Sequence, residues 1–178
     1  MKVRDILIDV IAALAVALVI IQFVKPMFVE GDSMEPGFSD GDYIIVSRQS
    51  YRLFGGEPET GDVIVAESSL KDDEGRDKLI IKRVIGVAGD VIAIDEGDVY
   101  VNGTLLDDSY TLDGYTKGAI EDLVVPENTL FCLGDNRGIS MDSRYPSVGF
   151  IELDDVIGKA VFRIWPFDRA GFTDNPYE

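Results

Sequence analysis

Ile6 to Val24 forms a nineteen-residue stretch interrupted only by Asp9 and Gln22. As a helix it would rise about 28 Å, close to the thickness of a bilayer's hydrocarbon core. A helix resting on a soluble core should show a polar face, and this run shows none. Ala13-Leu14-Ala15 and Ala15-Val16-Ala17 resemble cleavage sites of a removable leader. The apolar stretch continues past both, which favours an uncleaved anchor. Asp9 lies one turn inside the start, within reach of headgroups or of Lys2 or Arg4. Lys2 and Arg4 precede the run and Lys25-Pro26 ends it, a weak bias that favours a cytoplasmic N-terminus with the rest of the chain outside.

Beyond Pro26 the pattern changes to short β-branched runs separated by Gly and Asp. Tyr43-Ile44-Ile45-Val46, Asp62 to Val65, Leu79 to Ile85, Thr129 to Leu133 and Val156 to Ile164 read as strands. Asp90 to Ile94 and Val99 to Val101 suggest a hairpin through Glu96-Gly97-Asp98, and Asn102-Gly103 is a second hairpin signal. No later segment reads as a long amphipathic helix. The expectation is a mainly β chain: an antiparallel β catalytic domain with an N-terminal transmembrane helix and a small inserted subdomain. The boundaries are an anchor over 1–25 (helix about 6–24), a β domain over 26–165 and a tail over 166–178. An irregular insertion is expected at about 91–127, least regular over 104–127. Gly55 to Gly61 and Lys71 to Lys78 read as loops. Cys132, the single cysteine, lies in an apolar run and forms no disulfide within the chain.

Formal net charge is −17, and residues 1–25 contribute none of the negative excess. Nucleic-acid partners, which need basic patches, are excluded on that balance. With no histidine and scattered carboxylates, no metal or other cofactor is expected.

The absence of histidine also restricts the chemistry. A serine nucleophile needs a base, and with no His the remaining option is a desolvated lysine. Gly31-Asp32-Ser33-Met34-Glu35-Pro36 follows the apolar run closely, although a loop serine alone is a weak signal. Lys82 lies in Ile80-Ile81-Lys82-Arg83-Val84-Ile85, where alternation puts Ile80, Lys82 and Val84 on one face. It is either a buried amine of lowered pKa or an exposed edge-strand lysine that deters aggregation. Gly134 to Arg144 follows an apolar strand and is dense in hydrogen-bonding groups and opposite charges. Such a loop could orient an amine or simply tie itself together.

Taken in order, Gly31 to Pro36, Gly61-Asp62-Val63-Ile64-Val65, Lys82 to Asp90 and Gly134 to Arg144 resemble the motifs of type I signal peptidases, and the N-terminal anchor lies where that family has one. The likeness covers essentially the whole chain and is closest to the short Gram-positive type. It implies Ser33 as nucleophile and Lys82 as general base. It implies Ser140 as hydrogen-bond partner of the lysine amine, and Asp142 with Arg144 and Asp135 with Arg83 as structural salt bridges. Residues 28–34 and 79–82 would clasp an extended substrate strand, with Val29, Glu30, Met34 and Ile81 in contact and shallow pockets for small side chains. Some members have a serine as oxyanion donor where this chain has Gly31, which leaves the Ser33 backbone N–H as the expected donor.

The activity so implied is removal of signal peptides from secretory preproteins after small residues, through an acyl-enzyme. The implied setting is a single-pass cell-membrane protein with its catalytic domain extracytoplasmic, bilayer contact through 6–24 and proximity to the secretion translocon. A pilin-type processing peptidase and a non-catalytic membrane-tethered relative are the alternatives. Self-cleaving Ser-Lys repressors share the chemistry, but they lack an anchor and carry a DNA-binding domain for which this chain has no room.

Overall fold

Where β-branched runs alternate with glycine-containing turns, the backbone is driven into antiparallel ladders. The computed structural model describes residues 3–51, 56–72 and 74–177, without the side chains of Val3, Asp5 and residues 16–20. Lys2, Gly55, Asp73 and Glu178, which figured in the expected flank, loops and tail, lie outside the described residues. Helix α1 (Val3–Phe23) leads directly into β1 (Val24–Phe28). There follow β2 (Tyr43–Ser47), β3 (Val63–Lys71), β4 (Asp77–Gly86), β5 (Val91–Asp95), β6 (Asp98–Val101) and β7 (Thr104–Leu105). The chain continues through β8 (Ile120–Val124), β9 (Thr129–Leu133), β10 (Ile151–Glu152), β11 (Val156–Trp165) and β12 (Gly171–Phe172).

The strands form two sheets. The larger runs β1-β2-β11-β3-β4-β9-β10, with β12 also paired to β11. The smaller runs β7-β6-β5-β8. Every described pairing is antiparallel. Both expected hairpins form. Glu96 (φ 51°) and Gly97 (φ 99°) turn β5 into β6, and Asn102 (φ 52°) with Gly103 (φ 75°) turns β6 into β7. The segment expected to be irregular is partly regular, because Ile120–Val124 adds β8 to β5. Its Ile120 and Leu123 turn inward while Glu121 and Asp122 remain exposed. Pro26 lies within β1, an edge strand, where a missing N–H costs no ladder bond.

Three apolar clusters hold these layers together. Val29, Met34, Phe38, Ile44, Val63 and Ile81 gather on one face of the large sheet. Ile64, Ile80, Val84, Leu130 and Cys132 gather on the other. Ile85, Phe131 and Leu133 reach across to Ile92, Ile94 and Val99, which joins the sheets. Each such side chain contributes about 1.5–3 kcal/mol by leaving water.

The expected anchor coincides with α1. Among the described residues, however, no helix is long and apolar enough to cross a membrane. Residues 16–20, which carry five of the run's apolar side chains, are among those whose side chains are not described.

β11 crosses the centre of the large sheet between β2 and β3, and its register shifts between Val156 and Gly158. A Cβ at Gly158 would run into the Ser47 backbone of β2. Gly158→Ala should therefore lower stability by about 1–3 kcal/mol through overpacking. Urea denaturation with an unchanged midpoint would contradict this close approach.

Candidate functional site

Ser33 lies in the loop between β1 and β2, and the base of that loop is tightly tied. Val29 N donates to the Asp42 carbonyl at 2.8 Å, and Gly41 N donates to the Val29 carbonyl at 2.9 Å. Gly31 takes a positive φ of 82°, and its N–H donates to Asp40 Oδ1 at 2.7 Å. Glycine suits that backbone conformation. The buried Asp42 carboxylate accepts from Arg163 Nη1 at 2.7 Å and Arg169 Nη2 at 3.0 Å, binding the loop to β11 and the segment after it. Met34, fully buried beside Ser33, fixes the loop from below.

Lys82 lies in β4 opposite Ile64 of β3. It is 4% exposed, so the edge-lysine alternative does not hold. Its Nζ lies 2.8 Å from Ser33 Oγ and 2.8 Å from the Ile81 carbonyl oxygen. Burial lowers its pKa from 10.5 to about 8, against the opposing pull of the Asp142 carboxylate. An ammonium in apolar surroundings is poorly solvated, and the neutral amine is favoured in its place. A neutral amine at this distance from a hydroxyl can take its proton.

The loop after β9 closes the site from the other side. Asn136 N donates to the Ser33 carbonyl at 3.1 Å, and Asn136 Nδ2 to the Asp32 carbonyl at 3.2 Å. A Cβ on Gly134 would collide with the Ser33 carbonyl and the Ser140 side chain, so only glycine fits there. Asp135 pairs with Arg83 through two bonds of 2.8 and 2.7 Å, both groups buried. Asp142 pairs with Arg144 through two bonds of 2.8 Å, and Asp142 Oδ2 also accepts from Gly134 N at 3.1 Å. Arg144 Nη2 donates to the carbonyls of Arg137 and Ser140, which fixes the loop's curvature.

Ser140 departs from expectation. Its side chain is buried against Gly134, but its Oγ has no hydrogen-bond partner in the structure, and the bond to the Lys82 amine is not made. The amine is instead engaged by Ser33 and the Ile81 carbonyl. A buried hydroxyl left unpaired costs about 1–3 kcal/mol. Val29, Met34 and Ile81 share one apolar cluster, whereas Glu30 is exposed at the loop's outer face.

Sequence reasoning missed Arg137, which is 1% exposed. Its guanidinium donates to the Gly134 carbonyl (3.1 Å), Thr116 Oγ1 (2.6 Å) and Tyr110 Oη (2.9 Å). An arginine inside an apparent polar loop was the available signal, but its partners lie 21 and 27 residues away. Among the described residues, no group of Cys, Asp or Glu is arranged to hold a metal ion. The buried Asp42, Asp135 and Asp142 are all engaged by arginines.

Residues 3–165 match a family model described as signal peptidase, peptidase S26. A signal peptidase IB of Staphylococcus aureus (strain MRSA252) is 34% identical over 192 residues, covering 96% of this chain and 95% of that one. A signal peptidase I of Bacillus caldolyticus is 38% identical over 157 residues, covering 81% of each.

Buried and exposed charges should differ in their contribution to stability. Asp135→Ala strands the buried Arg83 guanidinium and should cost about 3–5 kcal/mol. Asp77→Ala, which breaks the exposed pair with Lys71, should cost under about 1 kcal/mol. Equal losses in denaturant titrations would refute that contrast. Lys82 keeps its proton up to about 10.5 when unfolded but only to about 8 when folded. Between those values the unfolded chain binds more protons, so stability rises with pH. Lys82→Met should remove that rise, and parallel pH dependences for the two proteins would exclude it.

Proposed function

Because the chain belongs to the signal peptidase family, peptidase S26, and is a serine endopeptidase, we propose that Ser33 is its nucleophile and Lys82 its general base. The observation that carries this reading is the 2.8 Å separation of Ser33 Oγ from a buried lysine amine. Neutral Lys82 takes the Ser33 proton as Oγ attacks the scissile carbonyl carbon. The resulting oxyanion is met by the Ser33 backbone N–H. Lys82 then returns its proton to the leaving amine, and the C–N bond breaks to leave an ester on Ser33. Water attacks that ester with Lys82 again as base, which releases the carboxylate and restores the serine.

The substrate is a secretory preprotein, bound as an extended strand at its signal-peptide junction. β9 pairs with β4 only from Arg83 to Gly86, so residues 77–82 offer backbone groups on the side away from β3. Strand addition there brings a peptide past Lys82 and Ser33, between that edge and residues 28–34. Val29, Met34 and Ile81 leave little room in the apolar cluster, which limits the residue before the cut to a small side chain.

Residues 6–24 act as a membrane anchor in this reading, with the N-terminus cytoplasmic and the β domain outside, near the translocon. Support comes from the apolar sequence of the run and from Ile6, Leu7, Ile8, Val10, Ile11 and Leu14, all exposed on α1. Phe28, Trp165, Phe167 and Phe172 are also exposed, and aromatic side chains favour the membrane–water boundary. Restricting enzyme and substrate to one surface raises their effective concentration.

Detergent-solubilised wild-type chain should cut a preprotein after a small residue, and Ser33→Ala and Lys82→Ala should each abolish cutting. Lys82→Arg should be as inactive as Lys82→Ala, because a guanidinium holds its proton at any accessible pH. With the amine pKa near 8, kcat/KM should rise roughly tenfold per pH unit below that value and level off above it. Activity retained in Lys82→Arg, or a flat profile from pH 6 to 8, would exclude Lys82 as the base.

A further inference from the structure

The chain beyond β12 folds back beneath the site. Thr173 N donates to the Val161 carbonyl at 3.1 Å. The Asn175 side chain fills the space a Cβ on Gly61 would occupy and donates to the Thr60 carbonyl at 3.0 Å. The Asp174 carbonyl lies 3.5 Å from Arg83 Nη1, which also donates to the Gly61 carbonyl at 2.8 Å. Tyr177 meets Tyr110 edge to face, with their hydroxyls 2.7 Å apart.

Tyr110 Oη accepts from Arg137 Nη2 at 2.9 Å and from Tyr177 Oη. The Tyr177 hydroxyl also lies 3.1 Å from the Asp107 carbonyl oxygen. The Tyr110 ring lies 4.6 Å from the Arg83 guanidinium carbon, a cation–π contact. Arg83 directly follows Lys82 in β4, and Arg137 holds the Gly134 carbonyl beneath Ser33.

We propose that residues 173–177 are a positioning strap for the catalytic pair: Tyr177 fixes Tyr110, and Tyr110 fixes the arginines that hold Lys82 and the Ser33 loop in register. The inference rests on the Ser33–Lys82 reading. The strap ends on polar groups of the site rather than in an apolar cluster, and Phe172 just before it is 81% exposed. Its effect is on alignment of the pair, which governs turnover, and not on the edge where a peptide would bind.

The test uses full-length wild type, Tyr177→Phe, Tyr110→Phe and the double variant on a preprotein in detergent, with Ser33→Ala as control. Tyr177→Phe keeps the ring and loses only the hydroxyl with its contacts to Tyr110 and the Asp107 carbonyl, so it should fold with a thermal midpoint within about 4 °C of wild type. We expect kcat to fall about 3- to 10-fold with KM unchanged. The double variant should turn over no more slowly than Tyr110→Phe alone, because Tyr177 reaches the catalytic pair through the Tyr110 hydroxyl. Wild-type kcat in Tyr177→Phe, a loss confined to KM, or additive losses in the double variant would overturn the strap. An inert wild type, or cutting by Ser33→Ala, would instead overturn the Ser33–Lys82 reading.

Discussion

Keeping one amine out of water beside one hydroxyl constrains everything around it. Lys82 can lose its proton near neutral pH only if water and uncompensated carboxylates are both kept away. β4 is buried from Ile80 to Gly86, so the amine at Lys82 is shielded on both faces of the sheet. The nearby acids are harder to manage, since Asp135 and Asp142 both favour the protonated lysine. Each is held by its own arginine in a two-bond pair, which offsets much of its field at the amine. The arginine pairs thus protect the low pKa of the lysine as well as the shape of the loop.

Cations are distributed unequally as a result. Arg83, Arg137 and Arg144 turn inward around the site, and Arg163 turns inward to Asp42 beneath the Ser33 loop. The excess of acids is left mainly to the surface. A formal charge of −17 therefore says little about the field inside, where arginine and carboxylate are matched. Two loops far apart in sequence are fixed to each other by main-chain bonds, and the bond from Asn136 to the Ser33 carbonyl is the most direct.

Much of this was legible in the residues. The missing histidine left lysine as the candidate base for a serine, and the apolar neighbours of Lys82 fitted either a buried amine or an exposed edge-strand lysine until its burial was seen. Asn102-Gly103 and Glu96-Gly97 announced their hairpins because few residues accept a positive φ. Other elements were hidden for physical reasons. Val24–Phe28 lies where Lys25-Pro26 ends the apolar run, and Pro26 argues against a strand until its edge position is known. Ile120–Val124 mixes charge with apolar residues, and only its pairing with β5 makes it a strand. The roles of Arg137, Tyr110 and Tyr177 depend on partners 21 to 67 residues distant, which no local pattern encodes. Ser140 was expected on the lysine amine, but its buried Oγ has no hydrogen-bond partner, a detail no local sequence pattern encodes.

The unpaired side of β4 carries a liability as well as an opportunity. Among the described residues no strand pairs with residues 77–82 on the side away from β3, and an unpaired edge can accept an extended chain, including a second copy of the same protein or the end of an unrelated one. Backbone recognition of that kind cannot tell partners apart. Asp77 and Lys78, both exposed at the open end, interrupt the apolar character that would encourage sheet-to-sheet stacking. The large like charge on every copy raises the cost of two such edges meeting. Charge at the strand's rim thus guards the open edge against self-association.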